Sequence, residues 1–152
     1  MLIGVVSDTH ALSFAELDGR IVEALKEADL VVHAGDFVNP EVLEGLKRVN
    51  YVRAVQGNMD SPLLKAMLPE KEVFEVEGRK VGLIHGWGAP RGIEERIREM
   101  FGKVDIIIYG HSHKSSCGER EGVFFFNPGL GRTSYGLLKV KETIEGEIIQ
   151  LP

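Results

Sequence analysis

The stretch DIIIYGHSHKSS, Asp105 to Ser116, runs from a block of bulky apolar residues through Gly110 into two histidines one residue apart. A strand with one face in water alternates apolar with polar residues, so the unbroken IIIY reads as a strand covered on both faces. The turn after it, GHSH, is then where chemistry can sit.

Working outward, LIGVV (2–6), LVVHAG (30–35) and YVRAV (51–55) are further short apolar runs. Between the first two, Glu16 to Ala28 carries apolar residues at Leu17, Ile21, Val22, Leu25 and Ala28, the stripe of a helix with one buried face. Between the next two, Pro40 to Val49 reads as a short helix with proline in its first turn. The first sixty residues are thus βαβαβ, the pattern of a parallel sheet. Beyond them, Val73 to Ile84 reads as a hairpin turning at Glu77 and Gly78, and Gly92 to Phe101 as a helix leading into IIIY. GVFFFN, YGLLKV and IEGEIIQL come next as short strands, which makes the C-terminal part mostly β.

With 152 residues, the chain is expected to form a single domain, 1–152, with its own core. The one cysteine, Cys117, excludes an internal disulfide and a cysteine-rich zinc site. A net charge of −5 argues against a general attraction for nucleic acid, so no stable nucleic-acid binding is expected. There is no apolar run near the roughly 20 residues of a membrane span and no charged-then-apolar leader, which makes a cytoplasmic, unprocessed protein without a membrane partner the expectation.

Each of five strands is succeeded by a polar cluster: SDTH after LIGVV, GD after LVVHA, GNMD after YVRAV, HG after VGLI, and GHSH after IIIY. Successive clusters are separated by about one strand and its return connection, so all should reach one edge of the sheets, where open α/β folds bind ligands. Asp8, His10, Asp36, Asn58, His85, His111 and His113 are hard to borderline donors, and together they outnumber the roughly four to six positions around one ion. Two divalent ions are therefore expected, with Mn²⁺ taken first and Ni²⁺, Zn²⁺ or Fe as alternatives. Extended backbone puts i and i+2 on one side, so Asp8 with His10, and His111 with His113, can serve one locus. Gly35, Gly57 and Gly110 would relieve crowding where backbone passes close to the ions.

DxH, GD, GNxD, HG and GHxH in this order resemble the calcineurin-like metallophosphoesterases, and HAGD, GNMD, GHSH and NPG look like their small bacterial and archaeal phosphodiesterase branch. The resemblance spans nearly the whole chain. It implies an α/β fold, a four-layer αββα sandwich of two mixed β-sheets flanked by helices. It also implies a ligand set in which Asp8, His10, Asp36 and His113 hold one ion, and Asp36, Asn58, His85 and His111 the other, with Asp36 shared. Hydrolysis of a small phosphodiester is the implied activity, with Asp36, Asn58 and His85 in the catalytic centre. Two ions ~3.5–4 Å apart can hold a bridging hydroxide for in-line attack at phosphorus. Many relatives carry histidine where this chain has Met59, which puts protonation of the leaving group in question. The same fold also resembles an endosomal-coat scaffold whose metal site is degraded, so a non-catalytic interaction module is the alternative. That scaffold type loses ligand residues, whereas all seven positions here can coordinate.

Individually, most of these residues have plainer readings. His33 lies within its strand, three residues before Asp36, and reads first as structural or as a support for a ligand, with substrate contact as the sharper option. Arg132 is either a solvated loop arginine or a phosphate contact, and Asn58 joins these two as a substrate-binding candidate. Asp60 reads first as a turn or helix cap before Pro62, or else as support for a ligand. Trp87 could stack on an organic group or merely pack over its loop, and NPG (127–129) is a tight turn that the resemblance places beside the site. A metallo-β-lactamase type of hydrolase would need HxHxDH, which is absent. A homodimer is allowed by the sequence without being required.

Overall fold

The computed structural model describes all residues, Met1–Pro152. The first half builds β1 (Leu2–Val6), α1 (Gly19–Glu27), β2 (Leu30–His33), α2 (Pro40–Val49), β3 (Val52–Ala54) and α3 (Pro62–Met67). The second half adds β4 (Lys71–Val76), β5 (Arg79–Ile84), α4 (Ile93–Arg98), β6 (Ile106–Ile108), β7 (Ser116–Arg120), β8 (Val123–Asn127), β9 (Ser134–Val140) and β10 (Ile144–Gln150). One five-stranded sheet has the order β10-β9-β1-β2-β3 and the other β4-β5-β6-β8-β7. In the first sheet β1, β2 and β3 run parallel and β9 and β10 antiparallel; in the second β5, β6 and β8 are parallel.

Both sheets are mixed, and they pack face to face over the main core, where Ile3, Val5 and Val32 of the first meet Val81, Leu83, Ile106 and Ile108 of the second. The outer face of the first sheet is covered by α1, α2 and α3 through Ile21, Leu25, Leu43, Leu46 and Leu64, packed on Val6 and Val31. The outer face of the second is covered by α4, whose Ile93 and Ile97 pack on Ile107, Tyr109 and Phe125. These layers explain IIIY: Ile106 and Ile108 point into the inter-sheet core and Ile107 toward α4, so no position on β6 can be polar. The four-layer α/β sandwich is the architecture the motifs implied.

Local chemistry sets the boundaries. The hairpin turns at Glu77 and Gly78, both with positive φ, as read from sequence. The expected helix from Glu16 instead begins at Gly19, because the Asp18 carboxylate accepts from the backbone N–H of Arg20 and caps it there. Glu16 belongs to a preceding one-turn 3-10 helix, Phe14–Glu16, and its carboxylate accepts from the N–H groups of Leu12 and Ser13. The expected helix from Gly92 to Phe101 spans only Ile93–Arg98. Two elements had no reading in the sequence, α3 and β7. The former is short, and the latter, SCGER, has no apolar alternation. No helix is long and apolar enough to cross a membrane.

Candidate metal centre

Five strand ends converge as the parallel topology requires. Asp8 and His10 lie just past β1, Asp36 past β2, Asn58 past β3, His85 past β5, and His111 and His113 past β6. Main-chain bonds tie the first two ends together, from Asp8 N–H to Gly35 O (2.9 Å) and from His10 N–H to Asp36 O (3.1 Å). Asp8, His10, Asp36, His111 and His113 all have left-handed backbones, with φ between 45° and 68°. Such conformations cost energy for residues with a Cβ and cluster at sites where side chains must be aimed.

The aimed atoms form two overlapping groups, Asp8 with His10 and His113, and Asp8 with Asp36 and His85, the ligand atoms of each lying within 4.8 Å of one another. Asp8 Oδ1 is 3.3 Å from His113 Nε2, 3.7 Å from His10 Nε2 and 3.8 Å from His85 Nε2. Asp36 Oδ2 is 3.3 Å from His85 Nε2 and 3.5 Å from His10 Nε2. Donors bound at about 2.0–2.2 Å to a common ion stand about 3 Å apart when adjacent and up to about 4.2 Å when opposite, so these spacings suit ion coordination better than direct hydrogen bonding. Asp8 Oδ1 and His10 Nε2 are buried and have no hydrogen-bond partner in the protein. Buried polar atoms are rarely left so, and a divalent ion would satisfy both. The donor set therefore fits a metal.

The surrounding atoms hold these donors in the orientation a metal needs. The other oxygen of Asp8 accepts from Ser7 Oγ (2.6 Å) and His111 N–H (3.0 Å), leaving Oδ1 free. Asp36 Oδ1 accepts from Met59 N–H, leaving Oδ2 free. His85 Nδ1 lies 2.7 Å from Ala34 O, an acceptor that favours the tautomer with the proton on Nδ1 and leaves Nε2 as the ligand. His111 is fixed the other way: its Nε2 is 3.0 Å from Gly88 O, so Nδ1 carries the free lone pair. His111 joins neither group, although its ring centroid is 5.2 Å from that of His85. Asn58 Oδ1 lies 3.1 Å from His85 Nε2, beside the second group. The glycines leave no room for a side chain: a Cβ on Gly57 would stand 2.1 Å from Asp36 Oδ1, and one on Gly110 1.9 Å from Ser7 Oγ.

Electrostatics obey the same layout. Burial works to raise the Asp36 carboxyl, but His85, Met59 N–H and His10 outweigh it and hold the group below the ordinary carboxylate value. For His85, burial is likewise the largest single influence and disfavours the charged form, yet Asp36, Asp8 and the Ala34 carbonyl together raise its pKa.

Other candidates take roles the sequence left open. His33 has no accessible surface; its ring stacks on Phe37 at 3.5 Å, Nδ1 accepts from Gly35 N–H, and Nε2 is 3.1 Å from Thr9 Oγ1. Burial lowers its pKa to about 3, so it stays neutral, and an enclosed ring cannot touch substrate; that reading is corrected. Arg132 is also turned to a structural task, its guanidinium donating to Glu16 (2.7 Å) and to the carbonyls of Thr9 and His10, rather than standing free for a phosphate. Asp60 does not cap α3, a task that falls to Ser61. Instead its buried carboxylate accepts from the N–H groups of Asp36, Val38 and Gly57 and fastens the GD loop to the GN loop. The NPG turn does border the site: Asn127 Nδ2 donates to Gly110 O and Ser112 Oγ, and its Oδ1 accepts from Gly129 N–H.

Arg96 was not singled out in the sequence. Its guanidinium donates to the carbonyls of Trp87, Ala89 and Arg91, pinning the loop whose Gly88 carbonyl orients His111. Nothing local marks an arginine in a short helix for this; only its spacing from the HG motif could have hinted at it.

Fold and donor set together define a metal-binding α/β sandwich. Residues 1–141 match the calcineurin-like phosphoesterase superfamily domain, and the chain belongs to that superfamily. A probable metallophosphoesterase of Methanothermobacter thermautotrophicus is 36% identical across 99% of this chain and 92% of its own. A phosphodiesterase of Methanocaldococcus jannaschii is 26% identical over 98% of this chain and 99% of that protein. Among solved structures, a Thermotoga maritima protein superposes with a TM-score of 0.78 at 35% identity, covering 99% of both chains. Vps29 of Entamoeba histolytica, solved with zinc, gives 0.75 at 24% identity over 99% of both chains, a likeness that bears on the fold alone.

Proposed function

We propose that the protein is a dinuclear metal-dependent phosphodiesterase acting on a small phosphodiester. The observation that carries the reading is the pair of buried, unpartnered atoms, Asp8 Oδ1 and His10 Nε2, at the centre of a ring of oriented carboxylates and imidazoles. Asp8, His10 and His113 would hold one ion, and Asp36, Asn58, His85 and His111 a second; Asp8 Oδ1 and Asp36 Oδ2, each within 3.8 Å of both His10 and His85, lie where the two sets meet. When bound, the ions supply Lewis acidity toward the phosphoryl oxygens and lower the pKa of an attacking water. No nucleophilic side chain is needed, and the buried hydroxyls nearest the donors, Ser7 and Thr9, are engaged by Asp8 and His33. The phosphodiesterase name of the Methanocaldococcus jannaschii relative supports the diester preference. The carboxylate and amide oxygens suit Mn²⁺, which is tried first, and the four imidazoles suit Zn²⁺, Ni²⁺ or Fe, the alternatives.

The test is calorimetric titration of chelator-stripped protein with Mn²⁺, paired with hydrolysis of an aryl phosphodiester. Two ions per chain and activity that vanishes with chelator and returns with Mn²⁺ are expected. One ion per active chain would end the dinuclear reading. Two bound ions with no hydrolysis of mono- or diesters would transfer the protein to the scaffold alternative.

A further inference from the structure

A cavity of about 350 Å³ opens directly beside Asn58 and His85, so any molecule presented to the metal centre on that side extends into it. Trp87 forms part of its wall and is 44% exposed, so part of the indole is open to a group seated there. Its loop does not need to order on binding, because Arg96 already holds the carbonyls of Trp87, Ala89 and Arg91. Met100 adds a soft apolar surface to the same wall.

Two cations share the space. Lys65 Nζ donates to Asn58 O at 3.3 Å and Lys71 Nζ to Met100 O at 2.6 Å, and neither forms an ion pair with any carboxylate. Glu70 lines the cavity too but lies outside ion-pair distance of both. An ammonium has three N–H donors, so each lysine retains two. The chain carries a net negative charge and none of its lysines forms an ion pair; Lys47, Lys114 and Lys141 border concavities of their own, but each of those holds one lysine, whereas this one holds two beside Asn58 and His85.

From this we infer that the cavity selects the substrate: one ester arm is a flat aromatic group that stacks on Trp87 and bears a second anionic group, a carboxylate or phosphate, bound by Lys65 and Lys71. The inference rests on the phosphodiesterase reading for the position of the reacting phosphorus. The aromatic face of the arm accounts for the exposed indole, and the second charge for the two unpaired ammonium groups. Lys65 and Lys71 then act as specificity determinants and take no part in bond breaking.

Three diesters sharing the 4-nitrophenyl leaving group test it, with methyl, phenyl or 3-carboxyphenyl as the other arm. The aryl arms make phosphorus intrinsically more reactive than the methyl arm does, so kcat/KM with Mn²⁺ is divided by each diester's uncatalysed rate and the ratio reads recognition of that arm. The carboxyphenyl diester should exceed the phenyl one by about tenfold, what two partly exposed charge contacts supply together, and a Lys65→Gln, Lys71→Gln double variant should bring this ratio close to one. Phenyl should exceed methyl by roughly fivefold or more, and Trp87→Ala should abolish that preference. Equal rates for the three arms, or a charge preference that survives in the double variant, would overturn the inference while leaving phosphodiesterase activity intact.

A binding measurement separates the two readings. Trp87 is the only tryptophan, so its fluorescence reports the cavity alone. If none of the diesters is hydrolysed, saturable quenching by the carboxyphenyl diester, about tenfold weaker in the double variant, keeps the cavity assignment and discards the activity. Absence of quenching discards the assignment itself.

Discussion

Asp8 and Asp36 stand at the ends of β1 and β2 with almost no exposed surface, while Asn58, His113 and Trp87, on the other rim of the same centre, are open to solvent. The first wall is made rigid from within: Ser7, Asp60 and backbone N–H groups satisfy every polar atom except those facing the metal locus. The second is held by long side chains and borrowed carbonyls, with Arg96 pinning the loop that aims His111. A metal centre needs carboxylates fixed in low dielectric, where their charge is strongest, and substrate needs an accessible face. Changes in the first wall should therefore abolish the centre, and changes in the second should tune it.

The largest effect belongs to the buried wall. Asp36→Asn should lower kcat by about 10²–10³-fold or more, the scale of losing one preorganised electrostatic group, and should reduce the bound-metal count. Gly57→Ala should approach the same loss, since its Cβ would stand 2.1 Å from Asp36 Oδ1. Metal content and kinetics on one aryl diester check both; a fully active Asp36→Asn would collapse the distinction between the walls.

Next comes Arg96→Lys, which keeps the charge but replaces the planar five-donor fork that spans three carbonyls with one compact ammonium that does not match their spacing. Metal affinity at the His111 locus should fall by about 10–100-fold, the usual cost of losing support behind a ligand, with the first ion retained. Calorimetry resolves the two steps. Equal weakening of both ions would mean that the exposed wall has no separate identity.

Smaller still is the effect of His33, which belongs to the buried wall yet faces away from the metals. His33→Asn should leave hydrolysis within a few-fold of the parent and act on stability. The ring's pKa of about 3 lies below its unfolded value near 6.5, so the unfolded chain gains a proton the folded one refuses. Its contribution is complete above pH 6.5 and declines as pH falls toward 3, by at most about 1.4 kcal/mol per unit. Urea unfolding of chelator-treated parent and variant at pH 7.5 and 5 should show their difference shrinking at the lower pH, with the other histidines common to both. A constant difference would contradict the neutral, enclosed ring.

The smallest expected effect is at Arg132→Gln, on the rim but tied to Glu16 and to backbone carbonyls. It should cost under about 1 kcal/mol, as exposed ion pairs do, with KM for a diester nearly unchanged. A large rise in KM would return Arg132 to the substrate contacts.

Much of this was readable because strand periodicity and strand-end chemistry are local. IIIY announced a strand covered twice, βαβαβ announced a parallel sheet, and parallel strands bring the residues just past their carboxyl ends to one edge. That logic named Asp8, His10, Asp36, His85 and His113, whose ligand atoms converge, with Asn58 and His111 beside them, and the proline at its start gave α2 its observed bounds, Pro40–Val49. It overextended α1 because Leu17 keeps its apolar phase in a turn that Asp18 and Glu16 separate from the helix. It passed over β7, whose place beside β8 comes from sheet pairing and not from any pattern in SCGER.

What only tertiary structure decided is the division of labour around the ligands. Asp60 looks like a cap from its neighbours in sequence, yet it bonds Asp36 and Val38 across more than twenty residues. His33 and His85 are both histidines at strand ends; one is sealed against Phe37 and Thr9, while the other is turned by the Ala34 carbonyl toward the carboxylates. The cavity likewise joins Lys65 of α3 and Lys71 at the start of β4 to Trp87 past the end of β5. Residue type and spacing determine which donors reach the edge, because backbone geometry is short-ranged and periodic. Which nitrogen is free, which carboxylate is spent on the backbone and which charge stays unpaired depend on contacts between distant segments, and those exist only once the two sheets have closed on each other.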